Sequence, residues 1–103
     1  MTVAQVDDGA YLLDVRNPDE WEAGHPPEAV HVPMMELPAR MAEVPDDRDV
    51  VVVCRVGSRS AQVVAYLQAK GWPRVANLDG GLVAWQAAGR ALVTTDGRPG
   101  FVL

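Results

Sequence analysis

The sequence predicts an α/β domain in which a parallel sheet carries helices on both faces. Three observations lead there. Short apolar runs alternate with helical patterns along the chain, punctuated by Gly and Pro. Val50 to Val53 are four valines in a row with no polar alternation, as in a strand covered on both sides. At 103 residues, 49% hydrophobic and 22% charged, the chain has the size and composition of one ordinary globular domain over 1–103.

The elements follow in order. Tyr11-Leu12-Leu13-Asp14-Val15 reads as a strand. Asn17-Pro18-Asp19-Glu20 starts a helix, with Asn at the N-cap, Pro in the first helical position and acids in the first turn; Gly24 ends it. Ala29 to Val32 reads as a second strand stopped by Pro33, and Leu37 to Val44 as a helix with Pro45 beyond its end. Asp49 to Cys54 is the valine strand. A helix from about Ser60 to Lys70 closes at Gly71, with Val63, Val64 and Leu67 as its apolar stripe. Val75 to Leu78 gives another strand, and Leu82 to Ala88 a last helix. Ala91 to Leu103 is weakly patterned, fitting a short strand or a surface wrap. Ligands of such sheets bind beyond the carboxyl ends of the strands. Asp14, Cys54 and Asp79 each end a predicted strand, so all three are expected along one rim.

Charge and cysteine count exclude several functions. Nine Lys and Arg against 14 Asp and Glu give a net charge of −5, without the basic face that a nucleic-acid binder needs. No apolar run approaches the ~20 residues of a membrane span. The start Met-Thr-Val-Ala-Gln-Val-Asp-Asp lacks a signal peptide's basic and apolar regions, giving a cytoplasmic expectation. Cys54 is the only cysteine, so neither an internal disulfide nor a cysteine-rich zinc site can form. His25 and His31 have no acidic cluster at ligand spacing, so no metal is expected, and His25 reads as a capping or packing residue. Trp21, Trp72 and Trp85 read as core or rim packing, Met34, Met35 and Met41 as fillers of core gaps, and Asp46-Asp47-Arg48-Asp49 as a solvated turn.

The chemistry concentrates in Cys54-Arg55-Val56-Gly57-Ser58-Arg59-Ser60, between the valine strand and the next helix. A loop entering a helix N-terminus directs unpaired N–H groups at one spot. Gly57 lets it curl, small Ser58 and Ser60 permit close approach, and Arg55 and Arg59 add positive charge. These features make an anion cradle with a sulfur at its base, and they favour thiolate over thiol. Cys54 is therefore the candidate nucleophile.

At this loop the sequence resembles the rhodanese-like family of sulfurtransferases. Leu13-Asp14-Val15-Arg16 with Glu20-Trp21 and Gly24-His25 is similar to the family's first signature. Cys54 to Ser60 is similar to its active-site loop, and Leu78-Asp79-Gly80-Gly81 with Ala84-Trp85 and Gly89 to its closing signature. One departure is visible: Pro26-Pro27-Glu28-Ala29 stands where members usually carry Gly-Ala. The resemblance implies a central, mainly parallel five-stranded sheet and a cysteine that cycles through a persulfide, with no cofactor. Its partners would be a small anionic sulfur donor, thiosulfate or a persulfide, and a thiol or cyanide acceptor, with an acceptor protein as a further possibility. Arg59 is expected to turn over the loop mouth toward the donor's oxyanion end, and Arg55 to contact substrate or raise the potential. An acid facing the cradle would oppose thiolate formation. Asp14 is therefore expected as a structural partner of Arg59 or the loop amides, with Arg16 supporting the loop. Two other readings stand beside sulfur transfer: a persulfide relay or sulfur-sensing module serving a partner protein, and a cysteine phosphatase. The phosphatase loop places five residues between Cys and Arg, whereas four separate Cys54 from Arg59.

Overall fold

A computed structural model describes residues 1–103. Four strands form, Tyr11–Asp14 (β1), Val30–His31 (β2), Val50–Val53 (β3) and Val75–Asn77 (β4), in one parallel sheet of order β2-β1-β3-β4. Asp14 stands opposite Val53 and Asn77 opposite Val52, so both flank the strand end from which Cys54 emerges.

The sheet has four strands, not the five that the family resemblance implies. Residues 91–103 add none, because Gly97, Pro99 and Gly100 interrupt them and Pro99 has no N–H to donate. This segment wraps the surface, tied by isolated antiparallel bridges from Val93 to His25 and to Pro99.

The valine run is buried on both faces. Val50 and Val52 pack with Leu13, Val15, Val63 and Leu67 on one side, Val51 and Val53 with Leu12, Leu78, Leu82 and Trp85 on the other. Each such aliphatic side chain contributes about 1.5–3 kcal/mol by leaving water. Cys54 completes the first cluster at its rim.

Four helices accompany the strands: Pro18–Ala23 (α1), Leu37–Arg40 (α2), Ser58–Ala69 (α3) and Gly81–Ala87 (α4). Helix α2 is shorter than the expected Leu37 to Val44. Pro45 disfavours helical backbone at Val44, which is extended, and Met41–Glu43 tighten into a 3-10 turn. Helix α3 begins two residues earlier than expected, at Ser58, and ends where Gly71 predicts. Gly71 takes φ +103 while the Trp72 N–H reaches back to Leu67 O at 2.9 Å and the Gly71 N–H to Gln68 O at 3.1 Å. Helix α1 buries no residue and is held by its ends. Met34 and Met41 pack against the core, but Met35 is 90% exposed, contrary to its expected role as core filler. No helix is long and apolar enough to cross a membrane.

The departure at Pro26 to Ala29 leaves a mark on the backbone. Glu28 is the one non-glycine residue with positive φ, at 66°. Left-handed backbone costs a residue with a Cβ about 1–2 kcal/mol, partly offset by glycine's larger entropy loss. Glu28→Gly is expected to stabilise the fold by about 0.5–1 kcal/mol, read as a raised midpoint in urea unfolding; an unchanged or lowered midpoint refutes strain at this turn.

Candidate active site

The loop after β3 is built around one atom, Cys54 Sγ. The residue is fully buried. Gly57 takes φ +104 and turns the chain into α3, which aims the first amides of that helix back at the sulfur. The Gly57 N–H donates to Sγ at 3.1 Å and the Ser60 N–H at 3.4 Å, while Ser60 Oγ lies 3.2 Å away. Burial pushes the thiol up, but hydrogen bonds from the Ser60 hydroxyl and the Ser60, Gly57 and Val56 amides outweigh it, so Cys54 is more acidic than an ordinary cysteine. Neutral donors contribute more to this than the arginine charge that the sequence brings to mind first.

Helix α4 fixes the other side of the loop. Its Leu82 and Val83 N–H groups donate to the carbonyls of Cys54 and Arg55 at 2.9 and 3.0 Å. Gly81 makes that approach possible: at φ +59, a Cβ would stand 2.5 Å from Arg55 O.

The remaining loop residues divide in two. Gly57 and Ser60 are buried with the sulfur, while Arg55, Val56 and Ser58 are exposed. Arg55 turns toward the C-terminal segment, its Nε donating to Leu103 O at 3.2 Å. Arg59 forms a two-pronged ion pair with Glu20 of α1, Nη1 to Oε1 at 2.6 Å and Nη2 to Oε2 at 2.9 Å. Those hydrogen bonds hold the Glu20 carboxyl below the usual carboxylate range and the Arg59 guanidinium above its own. Glu20 is itself tied down, since its Oε1 also accepts the Asn17 N–H at 3.2 Å.

Asp14 and Arg16 are placed differently from expectation. Asp14 pairs with neither Arg59 nor the loop amides. It meets Arg16, Nη2 to Oδ2 at 2.7 Å and Nε to Oδ1 at 2.9 Å, with both side chains fully buried. The cause is local: the residues are two apart where β1 ends, and the Arg16 N–H also folds onto Asp14 Oδ1 at 3.1 Å. Arg16 Nη2 reaches on to Gly24 O at 2.8 Å, anchoring the end of α1. The pair makes no hydrogen bond to the cysteine loop; it anchors α1, which carries the Glu20 that grips Arg59, and the Asp14 charge also favours the Arg59 guanidinium. Asp79 turns away to the Met1 amino group at 3.2 Å.

His25 is a packing residue, as its neighbours suggest. Its ring stacks on Trp21 at 3.5 Å and Nδ1 donates to Pro26 O at 3.1 Å, while His31 lies 4.7 Å from the same indole. No group of three or more His, Cys, Asp or Glu side chains is arranged to hold a metal. Two residues at the site escape the sequence reading in these roles. Glu20 is read as a helix start and as part of the first family signature but not as a partner of Arg59, and Asn77 lies inside a strand prediction. The signal for Asn77 is its polarity, one position short of the rim in an otherwise apolar run. The largest surface cavity, about 420 Å³, lies by Tyr11, Arg48 and Arg74 at the amino ends of the strands, away from the cysteine loop.

Fold and site together define a class: a parallel α/β domain that presents one buried cysteine in an amide-lined loop at the carboxyl rim of its sheet. The chain belongs to the rhodanese-like domain family, whose model matches residues 2–88. It is 48% identical over 86 residues to a protein named sulfurtransferase from Allochromatium vinosum, covering 84% of this chain and 80% of that one. It is 37% identical to the thiosulfate sulfurtransferase GlpE of Pseudomonas syringae, over 76% of this chain and 74% of the relative. Among solved structures, a rhodanese-related protein from Thermoplasma volcanium superposes with a TM-score of 0.84 at 27% identity, covering 90% of this chain and 95% of that one.

Proposed function

We propose that the chain, as one domain over 1–103, is a sulfurtransferase that moves sulfane sulfur from thiosulfate or a persulfide donor to a thiol or cyanide through a Cys54 persulfide. Sulfur transfer in general is what its family and the names of its relatives support. The observation that carries the finer reading is the Cys54 sulfur itself, buried yet held toward thiolate by Gly57 and Ser60.

In the first step the Cys54 thiolate attacks the outer sulfur of thiosulfate. The new S–S bond forms at Cys54 as the donor's S–S bond breaks, and sulfite leaves with the electron pair. In the second step an acceptor thiolate or cyanide attacks the outer sulfur of the persulfide, and the Cys54 thiolate leaves. No proton has to move at sulfur in either step, so a cradle that keeps the thiol ionised serves both. The loop amides stabilise the thiolate and the terminal persulfide anion alike. Val56 and Ser58 form the exposed lip that a donor passes, and Arg55 adds charge beside it. Arg59 spends one N–H of each terminal nitrogen on Glu20, which leaves three guanidinium donors for the oxyanion end of the donor.

The test is intact-mass measurement of the protein before and after thiosulfate, with cyanide added last. Cys54 is expected to gain the mass of one sulfur atom and to lose it to cyanide as thiocyanate. A chain that gains no sulfur from thiosulfate or from a small-molecule persulfide refutes the proposal.

A further inference from the structure

We propose that Asn77 is a positioning residue for the Cys54 thiol: it draws the single proton of the Ser60 hydroxyl away from the sulfur and yields it when the thiol ionises. The inference rests on the reading of Cys54 as the nucleophile and names what sets its acidity.

The argument is a count of protons. Ser60 is fully buried, and its hydroxyl has one proton but two acceptors in reach. One is Cys54 Sγ at 3.2 Å, the other the amide oxygen of Asn77 in close hydrogen bond. The Asn77 amide is not free to turn. Its Nδ2 donates to the carbonyl of Gly57 at 3.2 Å, and a flip would set Oδ1 against that carbonyl, acceptor to acceptor. The carbonyl of Gly57 therefore fixes Oδ1 toward Ser60.

Two arrangements follow. With a neutral thiol, the Cys54 S–H donates to Ser60 Oγ and the Ser60 O–H donates to Asn77, so every proton has an acceptor. With a thiolate, the thiol proton has gone to solvent, the Ser60 O–H swings to Sγ, and Asn77 Oδ1 loses its donor. Ionisation thus breaks one hydrogen bond to make another, and Asn77 makes the thiol less acidic than Ser60 and the amides alone would leave it. The charged groups around the cysteine lie elsewhere. They are Arg55 in the loop, whose Nε turns to Leu103 O, Arg59 of α3, tied to Glu20 of α1, and the buried Asp14–Arg16 pair at the end of β1. Strand β4 and the first turn of α4 bring no charge. Removing Asn77 leaves all of these pairs in place.

The full chain is titrated by the ultraviolet absorbance of its thiolate and by the pH dependence of iodoacetamide alkylation, for the wild type, Asn77→Ala, Ser60→Ala and the double variant. A hydrogen bond to a charged group shifts a titration by about one unit or more. Asn77→Ala is expected to lower the Cys54 midpoint by about one unit, Ser60→Ala to raise it, and the double variant to match Ser60→Ala alone, because the Asn77 oxygen reaches the sulfur through the hydroxyl while the Gly57 carbonyl, which Asn77 Nδ2 also holds, keeps the Ala61 N–H at 3.1 Å. A midpoint unchanged or raised in Asn77→Ala, or a lowering that survives in the Ser60→Ala background, overturns the proposal. If Asn77→Ala does not fold, Asn77→Ser carries the test, since its shorter side chain withdraws the acceptor from Ser60 without adding charge and must lower the midpoint; an unchanged or raised one refutes it. Neither readout uses a sulfur donor, so failure here leaves sulfur transfer standing, and failure of sulfur loading leaves this titration interpretable.

Discussion

Cys54→Ser is expected to reduce sulfur transfer to background, a loss of at least about a thousandfold, while the protein still folds. The oxygen of serine is not ionised at neutral pH and cannot carry a sulfane sulfur through the cycle. Its size suits the buried site, so the amides of Gly57 and Ser60 keep an acceptor. Thiocyanate formation from thiosulfate and cyanide checks the activity, and thermal unfolding checks the fold. Residual turnover within tenfold of the wild type would remove Cys54 from the mechanism. The same pair of proteins yields a pH signature. The folded-state thiol is more acidic than that of the unfolded chain. Cys54 therefore adds stability that is fully present above the ordinary thiol value of about 8.5 and lost as the pH falls through the folded value. The melting temperature of the wild type, measured against Cys54→Ser, should climb as the pH rises through that window. A constant difference would mean that the cradle does not favour the thiolate.

The second large effect is structural. Asp14→Asn is expected to cost about 3–5 kcal/mol, because the Arg16 guanidinium is left charged and fully buried without its counter-ion. That is a large share of the 5–15 kcal/mol that holds a typical domain together, and it corresponds to a fall in melting temperature of roughly 15–30 °C. The penalty lies in the orphaned charge rather than in the lost attraction. Replacing both partners, as Asp14→Leu with Arg16→Met, should therefore recover most of it. Urea unfolding of the two singles and the double closes the cycle; a single-substitution cost under about 1 kcal/mol would contradict the argument. Folded Asp14→Asn should retain part of its activity, since Asp14 touches neither Cys54 nor the loop amides.

What the sequence discloses and what it withholds follow a physical division. Val50 to Val53 announce a doubly covered strand because burial on both faces leaves no place for a polar residue. Gly71 announces the end of α3 because only glycine takes that backbone cheaply. The cysteine loop is legible for the same reason: its chemistry is contiguous in the chain. The ion pair of Glu20 with Arg59 spans 39 residues and depends on where α1 docks, which no local pattern encodes. The preference of Asp14 for Arg16 over Arg59 was a contest between near and distant partners, and the near one won through strand-end geometry. Asn77 was hidden by the strand around it. The fifth strand failed because three turn-forming residues in the last segment outweigh its apolar ones.

That neutral groups hold the Cys54 sulfur has a consequence for the behaviour of the domain in salt. Mobile ions screen exposed charges over about 8 Å at physiological ionic strength, but they scarcely touch a buried contact between an amide and a sulfur. The Arg59–Glu20 pair is partly open to solvent and feels that screening. The acidity of Cys54 and the charge at the loop mouth therefore rest largely on different groups. On the proposed mechanism, added salt should act more on the approach of an anionic donor to the exposed arginines than on the acidity of the sulfur.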